Sequence, residues 1–299
     1  MTGRLLGGVF LAFTLSCATG SMAQAQSAPE NAHLPKLSDI EPIAVAKHGI
    51  RNIKLTVEQS LARSQTVGQP TDLDQTSWQT SLGISADLGQ YFGIDLTGTF
   101  SRENIKSTNT FGMPIEGSGN VLGVDTTLTW KPAEFLHVGV LAGVGGAGAS
   151  YDYLGIGYYP SADSSSRRLG AFLSAFYRAD RLVLSGNVTV LNASTDVTYS
   201  PGNMPATNSF GATMLLSSVG ASYALTEDLR VTGGVTLNTV LSQVVAAGET
   251  GLDSSWATIS GGLEYDITPQ FSINAKASTW LFNERMNHTR FAVGAAYRF

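Results

Sequence analysis

Cysteine is almost missing from this chain: Cys17 is the single one in 299 residues, so no disulfide framework holds the fold. Four histidines and no cysteine pair leave nothing spaced like a structural zinc site, so no metal is expected. Charge is scarce as well, at 14% of residues, with 18 basic side chains against 23 acidic ones. There is no basic stripe of the kind that tracks a phosphate backbone, which excludes a nucleic-acid binder. Long apolar runs are also lacking. Beyond the first two dozen residues, no stretch approaches the ~20 apolar residues that a membrane helix needs. Any membrane contact of the remaining chain therefore falls to strands.

What is present begins with a processing segment. Arg4 supplies a short positive region, and Leu5 to Ala18 form an apolar core. Ser21-Met22-Ala23 or Ala23-Gln24-Ala25 then offers a small-x-small cleavage site. Residues 1–25 are thus expected to be a signal peptide, too short to serve as a permanent anchor. Its removal takes away Cys17 and Arg4, leaving 17 basic residues against 23 acidic, a net charge of −6. Residues 26–49 are polar, contain three prolines and show no clear period. They read as a periplasmic lead-in with a short helix around Ile43–Lys47.

From residue 50 to 299 the period becomes two. Leu122, Val124, Thr126, Leu128 and Trp130 alternate with Gly123, Asp125, Thr127 and Thr129. Leu136, Val138, Val140, Ala142 and Val144 alternate with His137, Gly139 and Gly143. Strict alternation marks strands with one apolar and one polar or small face. It recurs at Trp78–Leu88, Phe92–Phe100, Leu169–Tyr177, Leu182–Val190, Ser217–Leu225, Val231–Leu241, Ala257–Ile267, Phe271–Leu281 and Phe291–Phe299. Short turns (Gly89–Tyr91, Lys131–Glu134, Ala179–Arg181, Thr226–Asp228, Thr268–Gln270) alternate with longer polar connections. The latter are Ser101–Gly119, Ser150–Arg167, Leu191–Gly211, Ser242–Ser255 and Asn283–Thr289.

That rhythm is the one an up-and-down antiparallel transmembrane β-barrel gives, with short periplasmic turns and long outer loops. An even strand number requires one more upward strand before Trp78, and Ile53, Leu55 and Val57 supply it. The total is twelve; ten or fourteen requires one misread hairpin. Three features choose lipid over a soluble sandwich. Phe92, Trp130, Tyr177, Tyr223, Tyr265, Phe271 and Tyr297 sit at the short-turn ends of the apolar faces, as in an interfacial girdle. Charges fall deep within the opposite faces. The segments are about 9–11 residues long, the length of a tilted membrane strand.

The terminal stretch Phe291-Ala-Val-Gly-Ala-Ala-Tyr297-Arg-Phe299 carries apolar residues at every second place and ends on an aromatic. It resembles the last strand of Gram-negative outer-membrane proteins, which implies recognition by the barrel-assembly machinery through Phe291, Val293, Ala295, Tyr297 and Phe299. Gly262-Leu-Glu-Tyr-Asp-Ile-Thr-Pro-Gln-Phe271 and the span from Ile53 onward resemble the twelve-stranded β-domain of autotransporters. Here no long passenger precedes the barrel, so the resemblance implies the barrel and its assembly route rather than passenger secretion. A bacterial outer-membrane location with lipid as partner follows from it.

The phase of the alternation assigns the lumen. Lys54, Glu58, Asp87, Asp95, Asp125, Lys131, His137, Arg178, Arg230, Glu264, Asp266 and Lys276 are candidates for its lining, with Arg298 at the end. Such a set either pairs across the bore and closes it or lines a narrow channel. Twelve strands leave an interior between a filled eight-stranded barrel and a wide porin.

Enzyme patterns are weak. An outer-membrane hydrolase of the deacylase kind resembles a His-x-Ser pair on one strand face. None of His33, His48, His137 and His288 has a serine two residues on. Gly143-Val-Gly-Gly-Ala-Gly148 satisfies a G-x-G-x-x-G string but lacks the following helix that dinucleotide binding needs. No catalytic residue and no cofactor is expected. The functional expectation is a membrane-spanning scaffold or narrow pore. The alternatives are a small-solute channel and a surface-binding protein that uses the Ser150–Arg167 connection with Tyr151, Tyr153, Tyr158 and Tyr159.

Overall fold

The computed structural model describes residues 50–66, 73–108, 114–153, 161–200, 206–245 and 252–299. The signal-peptide and lead-in assignments, residues 1–25 and 26–49, lie outside them. The described residues form twelve strands. The first six are β1 (Ile50–Thr66), β2 (Leu73–Leu88), β3 (Phe92–Thr108), β4 (Pro114–Ala133), β5 (Leu136–Tyr153) and β6 (Ser161–Ala179). The second six are β7 (Leu182–Ser200), β8 (Ala206–Ala224), β9 (Leu229–Val244), β10 (Ser255–Asp266), β11 (Phe271–Leu281) and β12 (Met286–Arg298). Each pairs antiparallel with its neighbours in sequence, and β12 pairs with β1 from Lys54↔Arg298 to Thr66↔Met286. The sheet is a closed barrel. Closure removes the unpaired edges that hydrocarbon does not tolerate.

The two-residue period sorts side chains between the two surfaces. Leu82, Leu122, Leu169 and Val219 are more than 60% exposed, and most of the other large apolar residues in phase with them are also exposed. This outward belt ends in aromatics. Phe92, Trp130, Tyr177, Tyr223, Tyr265 and Tyr297 mark the short-turn rim, with Trp78, Phe100 and Phe291 toward the other side. From Phe92 to Phe100 the chain advances about 26 Å at roughly 3.3 Å per residue, near the height of an apolar band before tilt is allowed for.

The short turns explain themselves locally. Thr226 Oγ1 accepts hydrogen bonds from the backbone N–H groups of Asp228 and Leu229. Thr268 Oγ1 accepts one from Phe271 in the same kind of turn. Gly89 takes φ +69° between β2 and β3, a left-handed conformation that costs glycine nothing. Asp180 adopts φ +49° between β6 and β7, as short polar residues do in turns.

One expectation needs correction. The strands are 11 to 20 residues long, not uniformly 9–11. Much of Ser101–Gly119, Ser150–Arg167 and Leu191–Gly211 is strand rather than loop. Ser101–Thr108 continues β3, paired with Pro114–Val121 of β4. From Leu191↔Met214 to Tyr199↔Ala206 the β7–β8 ladder is equally regular. The same holds for Ala147–Ser150 against Ser161–Ser164. In these extensions the outward positions are polar, for example Arg102, Asn104 and Lys106, because they stand above the apolar belt. Hydropathy therefore reads them as loops although their backbone remains paired. Their inward positions mix buried apolar residues, among them Leu73, Ile105, Ile115, Tyr151 and Val197, with buried polar ones such as Ser101, Glu103, Ser107 and Thr195.

Candidate functional site

The inner wall is the candidate site, and the alternation builds it from residues of every strand. The predicted lumen residues fall on the positions opposite the exposed belt. Lys54 and Glu58 lie on β1, Asp87 on β2, Asp95 on β3, Asp125 and Lys131 on β4, and His137 on β5. Arg178 lies on β6, Arg230 on β9, Glu264 and Asp266 on β10, and Lys276 on β11.

Several of them are brought together. Lys131 Nζ stands 2.5 Å from Asp87 Oδ1, whose other oxygen accepts from Asn52 Nδ2 at 2.8 Å. Arg230 pairs with Glu264 at 3.4 Å and with Asp266. Asp125 pairs at 2.8 Å with Arg168, whose side chain is 1% exposed. Glu58 pairs at 2.6 Å with Arg290. His137 packs its ring against Phe176, with centroids 4.8 Å apart. Asp95 lies between Ser85 and Thr127 on the neighbouring strands, and Lys276 lies between Gly262 and Ala292. Arg178 is opposite Val183 beside the short β6–β7 turn.

The strand positions of these pairs decide what they do to the bore. The Arg230 and Arg290 pairs join adjacent strands, β9 with β10 and β12 with β1. The other two cross a single intervening strand, and each crosses it at a glycine. Gly93 lies in register with Asp87 and with Thr129, two residues before Lys131. Gly143 lies in register with both Asp125 and Arg168. A Cβ on Gly143 would stand 2.0 Å from Asp125 Oδ1 and 3.0 Å from Arg168 Nε. The missing side chain is what lets the bridge lie flat against the wall. These five bridges, made by four basic residues, run along the wall and do not reach between opposite walls.

Sequence alternation did not single out Arg168 and Arg290 as lumen residues. Both sit at the outer ends of the belt, next to Leu169 and Phe291, where the chain turns polar. Their parity was the available signal: Arg168 is in phase with Gly170 and Ser174, and Arg290 with Ala292 and Ala296.

The structure also joins residues 224 positions apart. Ser64 Oγ lies 2.8 Å from His288 Nδ1 across the β1–β12 seam, both side chains being buried. Trp280 packs on the other side of the imidazole, with centroids 4.8 Å apart. Among the described residues no carboxylate contacts this ring, so it lacks the orienting acid that a nucleophile–base–acid relay employs. It acts as a polar clasp on the seam.

A second interior feature is apolar. Leu141, Leu191, Ala212, Met214, Leu216, Trp256, Trp280 and Met286 form one buried cluster, against which Val240 and Leu252 pack. These eight come from β5, β7, β8, β10, β11 and β12 and all take inward positions. Tyr151, expected among the surface-loop aromatics, is buried on the inner face of β5, while Tyr158 and Tyr159 lie outside the described residues.

No protein-family model matches the chain, and no curated protein matches it in sequence. Solved structures do share its fold. The translocator domain of the autotransporter NalP from Neisseria meningitidis matches with a TM-score of 0.67 at 12% identity, over 93% of this chain and 98% of that one. The β-domain of the Bordetella autotransporter BrkA matches with a TM-score of 0.62 at 14% identity, over 83% and 100%. An outer membrane channel from Pseudomonas putida F1 matches with a TM-score of 0.55 at 10% identity, over 87% and 100%. At these identities the likeness is one of fold alone: a closed, twelve-stranded antiparallel barrel.

Proposed function

We propose that this protein is a bacterial outer-membrane β-barrel that serves as a membrane-spanning scaffold with a narrow aqueous pore. The carrying observation is the division of one closed sheet into an exposed apolar belt with aromatic rims and an interior lined by charged pairs. Hydrocarbon accepts the first surface and water the second. Because these five ion pairs lie along the wall, they line the bore without spanning it. The test is conductance of the purified, folded barrel in a planar bilayer. Stepwise openings, narrower than those of a wide porin, are the expected result. A correctly folded barrel that never conducts overturns the pore reading and leaves the scaffold.

A dedicated small-solute channel is the second reading, favoured by the fold it shares with the Pseudomonas putida channel. A catalytic role forms no part of either reading; among the described residues no carboxylate orients the Ser64–His288 pair.

Export and assembly complete the proposal. Residues 1–25 act as the signal peptide, and the β12 residues Phe291, Val293, Ala295, Tyr297 and Phe299 present the assembly signal. On β12, Phe291, Val293, Tyr297 and the terminal Phe299 are exposed on the lipid side, where a partner can read them. Replacing both Tyr297 and Phe299 with alanine is expected to lower the amount of folded barrel in the outer membrane. The same variant should still fold when refolded into detergent. Fractionation and heat-dependent gel mobility measure the two outcomes.

A further inference from the structure

The interior apolar cluster is out of place in a bore that water fills. The inward positions near the short-turn end hold Lys131, Asp87, Arg230 and Asp266. Higher up, the wall of β8, β10, β11 and β12 turns to Met214, Leu216, Trp256, Trp280 and Met286. A barrel is already held by its ladder of backbone hydrogen bonds and needs no such core to close. The two indoles face each other with ring centroids 5.3 Å apart, and Trp280 continues onto His288.

Trp256 is 1% exposed, and among the described residues its buried Nε1–H has no acceptor. The neighbouring Asn238 is engaged elsewhere, donating to the Trp256 carbonyl and to Thr258 Oγ1. A buried donor without an acceptor is destabilising, and a phenylalanine would fill much of the same space without it. An acceptor arriving from outside the chain removes that penalty. The side chains around it suit such an arrival, because the two thioethers are unbranched and repack readily around guests of different shape.

We propose that the cluster around Trp256 is a binding station in the lumen for a neutral, mainly apolar compound carrying one acceptor oxygen, with aromatic carbonyl compounds as the best-fitting class. The ring lies among Met214, Leu216, Trp280 and Met286, and its oxygen accepts from Trp256 Nε1–H. This deepens the pore reading by naming the solute class, and it rests on that reading.

The test uses the position of the four tryptophans. Trp78 and Trp130 face the lipid and Trp256 and Trp280 the interior. Replacing Trp78 and Trp130 with phenylalanine leaves emission from the interior pair alone. In this background the folded full-length mature chain is titrated with 4-bromoacetophenone and, separately, with bromobenzene, which has the heavy atom but no carbonyl. Saturable quenching is expected for both, with the carbonyl probe bound up to about tenfold more tightly, the span of a single neutral hydrogen bond. Adding Trp256→Phe, read through Trp280, should equalise the two probes. Linear quenching by both, as for compounds dissolved in the surrounding detergent, overturns the proposal, as does a carbonyl preference that survives Trp256→Phe. If Trp256→Phe does not fold, Met214→Phe replaces it, and saturation that persists with the site filled overturns the proposal. Heat-dependent gel mobility reports the barrel separately, so a folded barrel without saturable quenching removes the solute site and leaves the membrane barrel standing.

Discussion

At the scale of single residues, one glycine does what no side chain does. Gly93 and Gly143 both face the interior beneath ion pairs, but a Cβ on Gly93 would make only ordinary contacts, 3.4 Å from Lys131 Cε and 3.6 Å from Asp87 Oδ1. A larger residue at 143 would occupy the place of the Asp125 carboxylate. Arg168 would then be left buried without its counter-charge, a condition that costs about 3–5 kcal/mol. Gly143→Val is therefore expected to destabilise the barrel by about that amount, measured by denaturant unfolding in lipid vesicles. Substituting Asp125→Ala together with Arg168→Met in that background should recover most of the loss, because the charge is removed along with its partner and the space is vacated. Equal destabilisation of the single and combined variants would show that packing, not charge, dominates at this place. Glycine-rich composition is visible in the chain, but which glycine lies beneath which bridge depends on register. Register is a property of three strands at once.

At the scale of elements, the strands outrun the apolar belt. The β3–β4 hairpin continues through Ser101–Thr108 and Pro114–Val121, with outward Arg102, Asn104 and Lys106 above the apolar belt. Its inward Ile105 and Ile115 are 1% exposed. A paired backbone with buried apolar partners opens rarely. Amide hydrogens of Ile105 and Ile115 are accordingly expected to exchange slowly, on the scale of the barrel wall and unlike a surface loop. Exchange within seconds at these positions would return the segment to the loop class. Sequence reading missed these extensions because it weighed which face is apolar. Beyond the apolar belt polar residues serve on the outer face, so no apolar–polar alternation remains there to mark the strand. At the closing seam the difficulty is different. Ser64 and His288 are 224 positions apart, and no local pattern announces their contact.

At the scale of the whole molecule, the closed sheet has an apolar outer face and a charged inner one. Leu96 lies outward on β3, midway between Phe92 and Phe100, and Thr127 lies inward on β4 opposite Asp95. Leu96→Lys is expected to cost about 2–4 kcal/mol, the penalty for a cation at the bilayer midplane. Thr127→Lys is expected to cost less than about 1 kcal/mol, since it meets water and a nearby carboxylate. Folding into vesicles with a urea titration gives both values. A reversed order would mean that the inside and outside of the sheet have been exchanged. The amino-acid sequence by itself determined the barrel, its twelve strands, its outward belt and the parity of the charged residues. Each of those is written in a local period that the pleat imposes on neighbours along one strand. Only the tertiary structure decided which charges meet, that they lie along the wall, that Ser64 clasps His288, and that an apolar cluster gathers around Trp256. Those depend on the stagger between strands and on closure of the sheet, which couple residues far apart in the chain.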